Sequence, residues 1–382
     1  MKRYDAIIIG AGHNGLTAAA YLAKAGLNVV VLEMNDYIGG AAVTREMHEG
    51  WFYSSCSYVC SMMRQSIHRD LDLTRHGLLL VPYLGTVNFS DRGDRVLIDY
   101  PDEEAAYLEL RRHSPHDADA MSRIQADLGR YAQLIRKTLL RTPPDPSSFK
   151  PQDIQELLWM AKQFWNLGER ELYEYIRFFT MSAADFLHDY FEDDLIKAAM
   201  ASPGIIGTAL GVYSPGSAYI LLHHVMGDVD GNVGAWGLAR GGMGAISNAL
   251  AGALNEHGGE IRTEAPVNQI LVKNGATVGV VLDNGDEVFA DIVVSILTLN
   301  GPLPRLWTAQ TYLTVFTSVP RTLRFAAHPE RSTSPSRACP NSPMYLTIAT
   351  SIVAGRGLRV PWKRWSARMT AGSAVGGQMI RS

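Results

Sequence analysis

The sequence predicts an α/β fold, a doubly wound and mostly parallel sheet with flanking helices, and three observations carry that prediction. An apolar run, Ala6-Ile7-Ile8-Ile9, leads through a glycine-rich turn into Leu16 to Ala23, a stretch of helix formers that stops at Gly26. A second apolar run, Val29-Val30-Val31-Leu32, ends on an acid, Glu33, eighteen residues after Gly15. After a long helical stretch, the chain returns near residue 228 to a helix and several β-rich runs, as expected of a domain interrupted by an insertion.

Each piece of the first unit has a physical reason. The turn reads Gly10-Ala11-Gly12-His13-Asn14-Gly15. Gly10 lets the chain leave the strand sharply, Gly12 lets the backbone approach a pyrophosphate, and Gly15 lets the helix pack closely on the strand. The opening helix turn presents N–H groups to phosphate oxygens. Hydrogen bonds to a charged group contribute about 1.5 to 3 kcal/mol each, against roughly 0.3 to 1 for the helix dipole, so the N–H contacts dominate. Glu33 stands where an acid accepts ribose hydroxyls and repels a 2′-phosphate. Strand, turn, helix, strand and acid in this order make a dinucleotide site, which the glycines alone would not.

The residues that follow narrow the choice of dinucleotide. After Glu33 come Met34-Asn35-Asp36-Tyr37-Ile38-Gly39-Gly40-Ala41-Ala42, a second glycine pair shortly past the acid. This resembles the pattern of the large flavoprotein family that includes phytoene desaturases and amine oxidases. The run from Ile38 to Thr44, with Ser217-Ala218-Tyr219 and Leu222 to Gly227 later, resembles its phytoene-desaturase-like branch, and the likeness spans about residues 1 to 295. It implies FAD as cofactor, with Gly39 and Gly40 near the phosphates, and a Rossmann-type FAD domain carrying an inserted, mainly helical substrate domain. Family members often have Arg directly after the glycine pair, where this chain has Ala41. By the same resemblance, Val267 offers backbone groups to the adenine. The expected cofactor-binding set is therefore Gly10, Ala11, Gly12, His13, Asn14, Gly15, Glu33, Met34, Gly39, Gly40, Ala41, Ala42 and Val267. No residue is assigned to catalysis and none to a metal.

Composition bounds the rest. A chain of 382 residues, 47% hydrophobic and 19% charged, suits a globular protein of about two structural units. A formal net charge of −3 gives no reason to expect nucleic acid. No apolar run reaches the roughly eighteen residues that span a bilayer, and Met1 to Tyr4 lead straight into the first strand, so a cytoplasmic protein is expected. Three cysteines, Cys56, Cys60 and Cys339, are too few for a disulfide framework. Disulfide reductases on a similar fold place a redox cysteine pair about this far downstream, with a four-residue spacer. Here the spacer is three residues, Ser57-Tyr58-Val59, and two small buried residues without redox work are expected.

Along the chain, residues 1–100 are expected to form the first part of the FAD domain and 101–227 the helical substrate or lid domain. Residues 228–300 should supply the second part with a β-meander, and 301–382 an aberrant basic tail. Thr86 to Phe89 and Arg95 to Ile98 flank a turn cluster and predict a hairpin. The helical stretch is rich in large apolar residues, among them Trp159, Phe164, Trp165, Tyr175, Phe178, Phe186 and Phe191. Apolar residues at helical spacing usually pack inward, so a helical core is expected; a lid over an apolar channel, or a patch resting on a membrane surface, is the alternative. The adjacent His223 and His224 lie about 100° apart on a helix and are poorly placed to share a metal. Gly241 to Gly244 lack a preceding apolar strand and a following acid, which argues against a separate NAD site. Asn274-Gly275 and Asn284-Gly285 are hairpin turns that predict an antiparallel meander from Val267 to Ala290, with Ile292-Val293-Val294 as another buried strand.

The tail breaks the pattern: beyond residue 300 lie one of the 38 acids, eleven of the 35 basic residues and eight of the 18 prolines. Its arginines are scattered and form no dense basic run. Family members continue with more substrate-domain sheet and a closing glycine-rich segment, so a frameshift or truncation is the expectation here. The resemblance implies hydride transfer from an apolar or amine-bearing small molecule to flavin, with activity lost if the chain is truncated. The alternatives are a binding or escort protein on the same fold without redox chemistry and a pyridine nucleotide-disulfide reductase.

Overall fold

The computed structural model describes residues 3–229, 231–274 and 276–297. The expectation for residues 301–382 lies outside them. The first unit folds as the sequence predicts, with β1 (Arg3–Ile9), α1 (His13–Lys24) and β2 (Val29–Leu32) in succession. Ala6 to Ile9 and all of β2 are buried, because this strand pair lies in the middle of a parallel sheet covered on both faces. The helix α1 ends at Ala25 and Gly26, and Gly26 takes the left-handed conformation, φ +92°, that a side chain would resist.

Small two-stranded ribbons follow. The hairpin β3 (Thr44–His48) and β4 (Trp51–Ser54) leads to a short helix α2 (Gln65–Asp70), then β5 (Leu80–Pro82). Next comes the expected hairpin, β6 (Val87–Phe89) with β7 (Val96–Ile98).

From residue 103 to 225 the elements of the described chain are all helices, joined by turns and loops. Asp102 caps α3 (Glu103–His113) by accepting the Ala105 N–H, and Ser114 caps α4 (Pro115–Thr138) by accepting the Asp117 N–H. Then come α5 (Pro151–Trp165), α6 (Gly168–Thr180), α7 (Ala183–His188), α8 (Asp194–Ala201), a 3₁₀ turn at Ser202–Ile205 and α9 (Ala218–Val225). These helices share a core of their own. Tyr131, Tyr175, Phe178, Phe186 and Phe191 meet there, with the Tyr131 and Phe178 rings stacked at 4.7 Å. The inward packing is uneven, since Leu158, Trp165 and Tyr173 stay exposed, Trp165 at 87%.

The chain re-enters the sheet layer through β8 (Asp228–Val229), β9 (Asn232–Val233) and β10 (Gly237–Ala239), the last paired with β5. After α10 (Gly244–Glu256) come β11 (Glu260–Arg262), β12 (Val267–Lys273), β13 (Ala276–Leu282) and β14 (Glu287–Ser295). The main sheet has the order β11-β2-β1-β14-β13-β12. Strands β11, β2, β1 and β14 are parallel, and β13 and β12 extend the sheet antiparallel.

One expectation is corrected here. Ile292-Val293-Val294 is not a strand separate from the meander, because β14 runs unbroken for nine residues from Glu287. Its first part, Glu287 to Phe289, pairs antiparallel with β13, while the part from Phe289, opposite Arg3, to Ser295, opposite Ile9, pairs parallel with β1. A single strand can serve both neighbours because its two edges are independent ladders. In the sequence, the polar Asp291 between Ala290 and Ile292 looks like a break. It lies at the exposed end of the sheet and pairs with Arg3.

Candidate functional site: a dinucleotide cradle at the ends of the parallel strands

The carboxyl ends of β1 and β2 carry the site, at the place where open α/β sheets bind ligands. Gly10 leaves β1 with φ +100° and its N–H donates to the Leu32 carbonyl at 2.7 Å. Gly12 caps α1 with an extended backbone, φ −66° and ψ 162°, and no side chain accepts the N–H groups of the first helical turn. A Cβ on Gly15 would lie 2.2 Å from the Gly10 carbonyl oxygen, so only glycine lets the helix sit this close to the strand. The sharp exit from β1 at Gly10 and the close helix–strand contact at Gly15 are thus both positions that require glycine.

The second glycine pair docks on the first turn. The Gly39 N–H donates to the Ala11 carbonyl at 2.8 Å, and Gly12 and Gly39 form a parallel bridge. A Cβ on Gly40 would stand 3.2 Å from the Gly12 Cα. Residues 42 to 44 are then clasped to the start of α10: the Ser247 hydroxyl donates to the Ala42 carbonyl at 2.7 Å, the Thr44 hydroxyl donates to the Gly241 carbonyl at 3.0 Å, and the Gly244 N–H donates to the Thr44 hydroxyl at 2.9 Å. This gives Gly241 to Gly244 a structural task. A Cβ on Gly242 would fall 2.3 Å from the Thr44 hydroxyl oxygen, so the glycines let the two segments close on each other.

Glu33 is 7% exposed and its carboxylate is held from both sides. One oxygen accepts the Ala11 N–H at 2.8 Å; the other accepts the Asn35 N–H at 3.0 Å and the Asn35 amide at 2.7 Å. The Glu33 carbonyl accepts the Ala265 N–H at 2.8 Å and the Asn35 carbonyl accepts the Glu264 N–H at 2.9 Å. These bonds bring the segment that starts β12 beside the acid, with Val267 half-buried against the core of the sheet. Met34 is 63% exposed next to it, Ala42 is buried and Ala41 lies at the surface. Asn35 was not singled out in the sequence, though an amide two residues past the acid was the available signal.

His13 opens α1 inside the glycine turn. Its Nδ1 is buried with no hydrogen-bond partner, and burial holds the imidazole below its usual pKa, so it is neutral at pH 7. Asn14 is half-buried beside it. Ile296, just past β14, lies over the turn, with a side-chain carbon 3.1 Å from where a Gly10 Cβ would be. A buried imidazole nitrogen without a partner, a capless helix start and backbone that admits no Cβ fit the pyrophosphate and ribose of FAD. Glu33 keeps one acceptor site on the Ala11-bonded oxygen for a ribose hydroxyl.

The expectation of two buried cysteines is corrected at one of them: Cys60 is buried, but Cys56 is exposed, and they are not bonded to each other. Burial pushes the Cys60 thiol up to about 11, the wrong direction for a nucleophilic thiolate. His223 and His224 sit on α9 with ring centroids 5.5 Å apart and planes at 83°. His224 is buried, with Nδ1 against the Ile220 carbonyl at 2.8 Å. Among the described residues, no cluster of His, Cys, Asp and Glu could hold a metal ion and no helix is long and apolar enough to cross a membrane.

Comparison with known proteins agrees with this geometry. Residues 15–300 match the family described as flavin containing amine oxidoreductase. The chain is 38% identical over 310 residues to the mouse pyridine nucleotide-disulfide oxidoreductase domain-containing protein 2, covering 76% of this chain and 53% of that protein. It is 26% identical over 302 residues to the carrot chloroplastic prolycopene isomerase, covering 77% of this chain and 46% of that one. The chain thus spans about half the length of the curated relatives it matches. Among solved structures, putrescine oxidase bound to putrescine matches with a TM-score of 0.50 at 18% identity, over 81% of this chain and 62% of that one, a likeness of fold.

Proposed function

The chain belongs to the flavin containing amine oxidoreductase family, and from that premise we propose that it serves an FAD-dependent oxidation of an apolar or amine-bearing small molecule. When bound, FAD supplies the hydride acceptor; the protein's part is binding, orientation and exclusion of water. The first-turn N–H groups of α1 would hold the pyrophosphate, Glu33 the adenosine ribose, and the docked Gly39-Gly40 would close on the phosphates. Val267, next to the segment bonded to Glu33, would face the adenine. Ala41 and Ala42 continue the same wall, and Met34 borders the ribose side.

The observation that carries this reading is the double glycine contact, Gly39 and Gly40 on Ala11 and Gly12, beside a buried acid. The helices have a hydrophobic core separate from the one under the sheet strands, which supports reading them as a substrate domain. Contact with a membrane surface through the exposed Trp165, Leu158 and Tyr173 belongs to the same proposal. Titration of the full chain with FAD, followed by quenching of flavin fluorescence and by retention of yellow colour on desalting, tests it. Saturable uptake supports the proposal, and uptake that survives Glu33→Ala unchanged removes the acid from the site.

A further inference from the structure

The seam between the sheet layer and the helices holds a cation that has no counter-ion among the described residues. Arg64 immediately precedes the short helix α2 and is half-buried. Its neighbours bridge both cores: Met62 packs on the helical core and Met63 on the core of the sheet layer. Among the described residues four other half-buried arginines, Arg95, Arg136, Arg141 and Arg262, each meet a carboxylate within 3.4 Å. Arg64 meets none, and no described residue accepts a hydrogen bond from it.

The surroundings do not neutralise it. Among the described residues the carboxylate tied to this point is Asp228, and it is already shared: Arg136 on α4 donates to it at 3.4 Å and the Gly231 N–H at 2.8 Å. Gln65, next to Arg64, donates to the Asp228 carbonyl at 3.1 Å, which fixes the start of α2 against the same residue. The backbone cannot shift to make room, because the Asp228 N–H donates to the Ser61 carbonyl at 3.0 Å and a Cβ on Gly227 would lie 1.9 Å from that oxygen. Burial and the Arg136 charge both hold Arg64 below the usual guanidinium range, so the two cations feel each other. A partly desolvated guanidinium beside a like charge is unfavourable unless an anion joins it.

We infer that Arg64, with Arg136 behind it, is a docking point for an oxyanion, a carboxylate or a phosphate ester, on a ligand that enters between the sheet layer and the helices. The planar fork of Arg64 suits bidentate capture of either group. The inference rests on the proposed substrate role of this seam and narrows it: the molecule oxidised would carry an acid group remote from the reacting carbon. The apolar flank formed by Met62 and Met63 would face the rest of that molecule.

The test is calorimetric titration of the full chain with hexanoate and, separately, with inorganic phosphate, using Arg64→Met, Arg64→Lys and the parent. The parent should bind one of the two saturably. Arg64→Met should weaken that binding at least tenfold and Arg64→Lys should fall between, while the urea midpoint of Arg64→Met stays equal to the parent's or rises. Hexanoate binding alone identifies a carboxylate, phosphate binding alone a phosphate ester. A parent that binds neither, equal binding by Arg64→Met, or a lowered midpoint in Arg64→Met overturns the inference. Parallel FAD titration separates the two sites: FAD affinity should be unchanged in Arg64→Met, and its loss would move Arg64 into the nucleotide cradle. Anion binding without FAD uptake would sink the cofactor proposal and leave this docking point standing.

Discussion

Replacing Glu33 should damage the fold before any nucleotide is added. Its carboxylate accepts three hydrogen bonds inside the chain, and the Ala11 N–H among them is buried. In Glu33→Ala that N–H loses its acceptor, which costs about 1 to 3 kcal/mol, while the two Asn35 donors are nearer solvent and cost about 0.5 kcal/mol each after rehydration. A loss of roughly 2 to 4 kcal/mol follows, or a fall of about 1 M in the urea midpoint at a slope of about 2 to 3 kcal/mol per molar. Glu33→Gln keeps one acceptor oxygen and should lose about half as much. The assay is urea unfolding without FAD, followed by tryptophan fluorescence. A separate FAD titration at low temperature and without urea should show a further loss of affinity of about tenfold, the worth of one charge-assisted ribose bond at about 1.5 kcal/mol. An unchanged urea midpoint in apo Glu33→Ala would refute the clasp, and unchanged FAD affinity in the variant that remains folded would refute the ribose contact.

Three other outcomes follow from the same geometry. Gly15→Ala should yield little folded protein, because its Cβ meets the Gly10 carbonyl oxygen at 2.2 Å; a thermal midpoint within a few degrees of the parent would contradict the packing. In a Cys339→Ser background, a thiol reagent should label Cys56 in the native state and Cys60 only on unfolding, since Cys60 is buried with its thiol pushed up to about 11; native labelling of both would reopen the redox pair. Burial and His224 lower His223 to about 4 from 6.5, so its contribution to stability is complete above pH 6.5 and is lost as pH falls toward 4. Unfolding free energy should drop by about 2 kcal/mol for this group between pH 6.5 and 5, and His223→Gln should flatten that slope. His224 and His13 are lowered as well and act in the same direction, whereas His116 is raised by its bond to Asp117 and opposes them.

The parallel unit was legible because each of its steps is local. Four consecutive buried residues in β1 and in β2 read as apolar runs, and the turn between them needs glycine for reasons of φ and close approach. What stayed hidden depends on partners distant in sequence. Nothing near Thr44 announces that its hydroxyl will bridge Gly241 and Gly244 some two hundred residues later. The continuity of β14 was missed because two neighbours on different edges impose different directions on one strand. The cation at position 64 was illegible for the opposite reason: an unpaired charge is recognised only after every possible partner has been placed.

The cradle and the seam are joined by one short stretch of chain, and that stretch is anchored at several points. From Gly39, bound to Ala11, it passes through Ala42 and Thr44, clasped to the start of α10, and across the β3-β4 hairpin. Ser54 accepts the Met243 N–H at 3.0 Å, and Cys60 exchanges backbone bonds with Gly237. Arg64 follows four residues later, its helix tied to Asp228 by Gln65. Backbone held at intervals of a few residues has little freedom to swing, because moving one anchor breaks bonds at the next. A ligand that draws Arg64 toward itself would therefore load the Gly39-Gly40 contact with the nucleotide turn, and a nucleotide that closes that contact would stiffen the seam. Binding at the two sites should then be coupled, and linkage requires the coupling to be equal in both directions. FAD present at saturation should change the affinity for the seam anion by the same factor by which the anion changes the affinity for FAD.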